Sequence, residues 1–171
     1  TITVLLAQNA NIQCRQDPNQ SPGYSLIHLA AIAGNSKRLN WLKTKGVNIN
    51  VTTPESGYSA LHLACKYGHC ETAMLLIQFG CNINCRDKKG ASPLHLAAKY
   101  GGTHVTRVML LSGAKKDIWD SNGKTPFDYA VKQGRKATIE SILVFQSGAG
   151  NDKRSIQFLF NKMQIEGEFL K

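Results

Sequence analysis

The sequence predicts an all-α fold, a solenoid of stacked helix-turn-helix units joined by hairpin-like turns. Two observations carry this. A nine-residue segment recurs four times in register, opening at Gly23, Gly57, Gly90 and Gly123 with spacings of 34, 33 and 33 residues. Further glycines repeat inside the units: Gly34, Gly68, Gly101 and Gly134 each fall 11 residues after the opening glycine, and Gly46, Gly80 and Gly113 fall 23 after it, with Gln146 in the fourth unit. A unit this short cannot bury an apolar face alone, so repetition at this period demands stacking.

Taken in order, the chain starts at Thr1 and runs straight into Val4-Leu5-Leu6, and the expectation is that it is a piece of something longer. Residues 1–14 read as the second half of a repeat. Leu5-Leu6-Ala7-Gln8-Asn9-Ala10-Asn11-Ile12 parallels Ile77-Gln78-Phe79-Gly80-Cys81-Asn82-Ile83. Asn9 stands there for glycine, and Asn is the usual substitute in a left-handed helix cap. From Asn9 to Gly23 is 14 residues against 10 from Gly80 to Gly90, so residues 14–22 hold an enlarged loop.

The full units span 23–50, 57–84, 90–117 and 123–146. In each, a hydroxyl residue (Ser25, Ser59, Ser92 or Thr125) is placed to cap the first helix, and Pro93 and Pro126 sit in the first turn, where a missing N–H costs nothing. Small residues then let a second helix approach closely. The glycines at Gly34, Gly68, Gly101 and Gly134 are expected to end the first helices. Second helices follow, such as Ala73-Met74-Leu75-Leu76-Ile77, and polar stretches between units form turns. Residues 147–152 break the period. Beyond them 153–171 carries Ile156, Phe158, Leu159, Phe160, Met163, Ile165, Phe169 and Leu170, which predicts a helical capping segment over 147–171.

The recurring segments are Gly23-Tyr24-Ser25-Leu26-Ile27-His28-Leu29-Ala30-Ala31, Gly57-Tyr58-Ser59-Ala60-Leu61-His62-Leu63-Ala64-Cys65, Gly90-Ala91-Ser92-Pro93-Leu94-His95-Leu96-Ala97-Ala98 and Gly123-Lys124-Thr125-Pro126-Phe127-Asp128-Tyr129-Ala130-Val131. They resemble the ankyrin repeat, whose Gly-x-Thr-Pro-Leu-His-x-Ala signature returns at a period of about 33 residues. The resemblance covers residues 1–146. It implies that His28, His62 and His95 bond between neighbouring turns, and that variable residues line a concave, partner-binding face. Asp128 departs from the motif His.

Chemistry is otherwise sparse. Cys65, Cys70, Cys81 and Cys85 fall close together, but the register fills their slots elsewhere with small residues: Ala31 and Ala98 for Cys65, Val47 and Ala114 for Cys81, Ser36 and Thr103 for Cys70, Val51 for Cys85. Free cysteine behaves as a small hydrophobe, and none of these spacings is a CxxC. The His residues follow the period, the hydroxyls three residues before them are helix caps, and carboxylates are scattered. No catalytic residue, metal site or cofactor is expected. Five cysteines, an odd number, with no basic-then-apolar leader pattern, predict a reducing intracellular setting, cytoplasmic or nuclear. No apolar run approaches the ~18 residues of a membrane span.

Charge gives the functional lead. The chain carries 21 Lys+Arg against 11 Asp+Glu, a net +10, which points to an acidic partner. Carrying the variable concave positions from unit to unit gives 24 residues that hold seven basic side chains, one acid and five aromatics. That is more than twice the share of 21 basic residues spread evenly over 171 positions. The candidate partner-binding residues are Tyr24, Tyr58, Lys66, Tyr67, Arg86, Lys88, Lys89, Lys99, Tyr100, Trp119, Lys124 and Lys132, centred on 86–89 and Lys99-Tyr100. Tyr, Trp and Arg dominate binding hot spots, and lysines beside them steer an acidic partner. The expectation is a non-catalytic protein-interaction module or scaffold gripping an acidic segment. Two alternatives stand: a targeting arm of a larger multidomain enzyme or channel, or a binder of nucleic acid or anionic lipid through the same patch. Nucleic acid is the weaker, since the stripe includes non-basic units and the resemblance implies protein partners. Oligomeric state is left open.

Overall fold

The computed structural model describes residues 23–146. The expected half-repeat over 1–14, the enlarged loop over 14–22 and the capping segment over 147–171 lie outside the described residues. Within them the chain forms α1 (Leu26–Ile32), α2 (Ser36–Thr44), α3 (Ala60–Tyr67), α4 (Cys70–Gln78), α5 (Pro93–Leu96) continued by a π-helical turn (Ala97–Gly101), α6 (Thr103–Leu111), α7 (Pro126–Lys132) and α8 (Lys136–Gln146). Each unit contributes two antiparallel helices to two layers. The first helices stack as α1, α3, α5 with its π-turn, then α7, while α2, α4, α6 and α8 stack behind them. The core lies between, built from Ile27, Leu39, Leu42, Leu61, Leu63, Leu76, Leu94, Met109 and Ile142 with Ala30, Ala64, Ala97 and Ala130 at the close approaches.

Each first helix begins with a reciprocal cap. The Ser59 N–H donates to His62 Nδ1 at 3.1 Å, and the pairs Ser25–His28 (3.1 Å) and Ser92–His95 (3.0 Å) repeat it. A backbone N–H can only donate, so Nδ1 accepts and the ring proton sits on Nε2. That proton reaches beyond its own unit: His28 to the Val51 carbonyl just past it (3.0 Å), His62 to Ala91 (3.1 Å) and His95 to Lys124 (3.1 Å) in the next. One residue type caps its own helix and ties it to its neighbour. Asp128 keeps only the first job, since Thr125 N–H donates to its Oδ2 at 2.7 Å. A carboxylate has no N–H to send onward, so the exchange preserves the cap and drops the inter-unit tie.

The turns are hairpins closed by the same bond: Thr53 N–H to Tyr58 O, Asp87 to Ala91 and Asp120 to Lys124, all at 2.9 Å. Asp87 and Asp120 also accept two following N–H groups on Oδ1, the first from Lys89 and Ala91, the second from Asn122 and Lys124. Side chains of this kind fold their own backbone into a turn. In the first hairpin Thr53 Oγ1 accepts from Tyr58 N–H instead, across one more residue, which accounts for the single 34-residue spacing.

The third unit corrects the sequence register. Gly101 does not end its first helix as a left-handed cap. It closes the π-turn, and the positive φ falls on Gly102 (φ 83, ψ −177), a region open essentially to glycine alone. The reason is a close approach across units: a Cβ at Gly101 would lie 1.9 Å from the Cys65 carbonyl oxygen. Widening the helix by one bond lets the turn seat against that carbonyl.

Candidate functional site

The residues singled out by the sequence fall into two groups. Lys66 and Tyr67 end α3, and Lys99 and Tyr100 sit in the π-turn. Tyr24 and Tyr58 immediately precede the caps of α1 and α3. Tyr58 is stacked on His62 at 5.8 Å between centroids, and Tyr24 meets His28 edge-on at 6.1 Å. Because the histidines repeat once per unit, they hold these rings at the same place in successive units.

Lys66 Nζ lies 5.9 Å from the Tyr58 ring centroid, 5.4 Å from Tyr67 and 5.9 Å from Tyr100. Lys99 Nζ lies 4.8 Å from Tyr100 and 5.3 Å from Tyr129. Cations over ring faces gain about 0.5–2 kcal/mol each, depending on desolvation. Both lysines are half-buried, and among the described residues neither has a carboxylate within ion-pair distance. The Tyr67 and Tyr100 rings stay about half exposed, at 50% and 46%. Among the described residues, the surface therefore offers open aromatic faces beside two ammonium groups without counter-charge.

Tyr129 completes this row, and sequence reasoning missed it. Its slot is filled by Leu29, Leu63 and Leu96 in the other units, and a tyrosine in a leucine slot was the available signal. Its hydroxyl donates to Asp120 Oδ2 at 2.7 Å. That bond pushes the Tyr129 phenol up, with burial adding to it. Burial raises the Asp120 carboxyl, but the hydrogen bonds from Tyr129, Lys124 and Asn122 outweigh it and hold the group below its ordinary value. Burial likewise raises Tyr24 and Tyr58, with Tyr67 and Glu55 adding to the first and Asp87, Tyr100 and Tyr24 to the second. These couplings place all five tyrosines of the chain within electrostatic reach along one row.

The remaining candidates are not gathered there. The Lys88 ammonium donates to the Pro54 carbonyl and its N–H to Ser56 O, tying the second hairpin to the first. The Lys89 carbonyl accepts from Ser121 N–H in the same way at 2.8 Å. Arg86, Lys124 and Lys132 are exposed, and Trp119 is 62% exposed. Among the described residues Lys124 meets the row only through its backbone, whose N–H shares Asp120 with the Tyr129 hydroxyl.

The four described thiols are held towards the protonated form. Burial pushes Cys65 well above its ordinary value and Cys81 up to about 12, and raises Cys70 and Cys85. Cys85 Sγ lies 3.6 Å from His62 Nδ1 and 3.3 Å from Ser59 Oγ, but burial lowers His62 to about 4. An activated pair needs a lowered thiol beside a basic imidazole, and both shifts here run the other way. Among the described residues no three His, Cys, Asp or Glu side chains are grouped to hold a metal ion, and no helix is long and apolar enough to cross a membrane.

Stacked helical hairpins that present a continuous row of open aromatic and cationic side chains define a repeat-built protein-interaction module. The family model for ankyrin repeats matches residues 1–87 and 68–155, and the chain belongs to the ankyrin-repeat family. Among similar proteins is the Inhibitor of Bruton tyrosine kinase of Xenopus laevis, 40% identical over 69 residues. Its human counterpart is 39% identical and its mouse counterpart 42% identical, each over 68 residues. In all three the match covers 40% of this chain and 5% of the relative's length.

Proposed function

We propose that this chain is a non-catalytic protein-interaction module that takes an acidic partner segment on its tyrosine-lysine row. The observation that carries the reading is the seating of Lys66 and Lys99 among four tyrosine rings with, among the described residues, no carboxylate to neutralise them. A partner carboxylate gains a charge-assisted bond to an ammonium whose solvent is already partly stripped, and the rings supply apolar area at low entropic cost. The net +10 of the whole chain would steer the encounter. Free thiols at Cys65, Cys70, Cys81 and Cys85 accord with an intracellular, reducing setting.

A second reading is that the module serves as a targeting arm of a longer protein, and it is favoured by the relatives, of whose length the match covers 5%. The two readings are compatible, since a targeting arm acts through the same face. The test is fluorescence polarisation with a Glu/Asp-rich peptide, a Lys-rich peptide of equal length and single-stranded RNA. The acidic peptide binds, and Lys66→Glu weakens it by about tenfold or more, the equivalent of about 1.4 kcal/mol. Equal binding by wild type and variant overturns the reading. RNA binding tighter than the peptide, with a steep salt dependence, replaces it with a phosphate-binding surface.

A further inference from the structure

Resting on that reading, the geometry points to the partner's register: we infer that the row takes an extended, polyproline-II-like segment carrying two carboxylates three residues apart. Lys66 and Lys99 are equivalent residues of successive units, 33 positions apart. Equivalent atoms of stacked helices repeat at the helix-packing distance, about 8–10 Å. The shared Tyr100 ring sets an independent bound. Its centroid is 5.9 Å from one ammonium and 4.8 Å from the other, so the two nitrogens are no further apart than these lengths laid end to end.

A polyproline-II chain repeats its facing side chains every third residue, about 9.3 Å at ~3.1 Å per residue. That step matches the unit spacing and falls inside the Tyr100 bound. Acids two residues apart on a pleated strand are separated by about 6.6–6.8 Å and acids four apart by about 13 Å, one short of the unit spacing and the other beyond it. Helical acids at i and i+4 come about 6 Å apart and also fall short. Both ammoniums neighbour the half-exposed Tyr100 ring, with Tyr67 also beside Lys66 and Tyr129 also beside Lys99. Open aromatic faces receive the rings of a polyproline-II segment, a preformed helix that loses little entropy on docking.

The inference is tested with the protein as it stands and three proline-rich peptides of equal length and charge, each bearing two glutamates spaced by two, three or four residues. Calorimetry gives the spacing of three an affinity about tenfold above the others. Lys66→Met and Lys99→Met each reduce that peptide to the level of its companions and barely alter the rest. Equal affinity for all three overturns the register while leaving the acidic-face reading in place. If none binds while the Glu/Asp-rich peptide does, the register alone falls; if that peptide fails as well, both fall. The wild-type comparison alone decides the register, so the outcome holds even if a variant is poorly folded.

Discussion

Acidification tests the histidine ladder most directly. The His62 ring is fully buried, its Nδ1 faces the Ser59 N–H and hydroxyl at 3.1 and 2.9 Å, and its Nε2–H is committed to Ala91 O. A second ring proton would point a donor at a donor. Burial lowers the ring to about 4, opposed by the Ala91 bond and Asp87 and reinforced by His95. The unfolded chain titrates near 6.5. As pH falls, the unfolded state therefore takes up the proton first. The stabilisation is fully present above pH ~6.5 and is lost as pH drops towards about 4. For these two values the loss is about 2 kcal/mol at pH ~5 and about 3 kcal/mol once both states are protonated. Urea unfolding followed by circular dichroism at pH ~7.5 and ~5, at fixed ionic strength, reads this in wild type and His62→Gln. Wild type should lose about 2 kcal/mol more than the variant between the two conditions. The variant keeps a smaller slope of the same sign, because burial also lowers His28 and His95. Parallel losses in the two proteins would refute the argument.

Two further predictions concern the inter-unit seam. Gly101→Ala places a methyl 1.9 Å from the Cys65 carbonyl oxygen, a backbone atom that cannot swing aside, and should cost about 2–4 kcal/mol, read as a drop in urea midpoint. Gly46→Ala, with nothing within 4 Å, carries only the left-handed strain of about 1–2 kcal/mol, and an equal cost for the two would discount the close approach. Cys65, fully buried and raised well above its ordinary value, should resist iodoacetamide in the native protein and react freely in urea. Mass-mapped labelling of Cys65 at the same rate in both conditions would contradict its placement.

Much of the fold was legible because its signals are local. The cap Ser59 and its partner His62 are three residues apart, and a hairpin such as Asp87 to Ala91 closes over four. Such groups meet wherever the rest of the chain goes, so a repeated pattern reports repeated structure. The cysteines' small-residue slots were readable for the same reason, since the register compares like positions. Parts of the candidate site were legible too: Tyr24, Tyr58, Lys66, Tyr67, Lys99 and Tyr100 all lie in the row, whereas Tyr129 was concealed in a leucine slot.

The sequence by itself determined the all-α repeat, its period, its caps and the excess of positive charge on one set of positions. Only the tertiary structure decided what those charges do. Lys88 is drawn onto the Pro54 carbonyl 34 residues away, while Lys66 meets a ring 34 residues ahead of it in Tyr100. The π-turn that carries Lys99 and Tyr100 likewise answers to the Cys65 carbonyl of the preceding unit. Contacts between stacked units depend on how closely two backbones approach, and that distance is set by packing across the seam, which a local pattern does not encode.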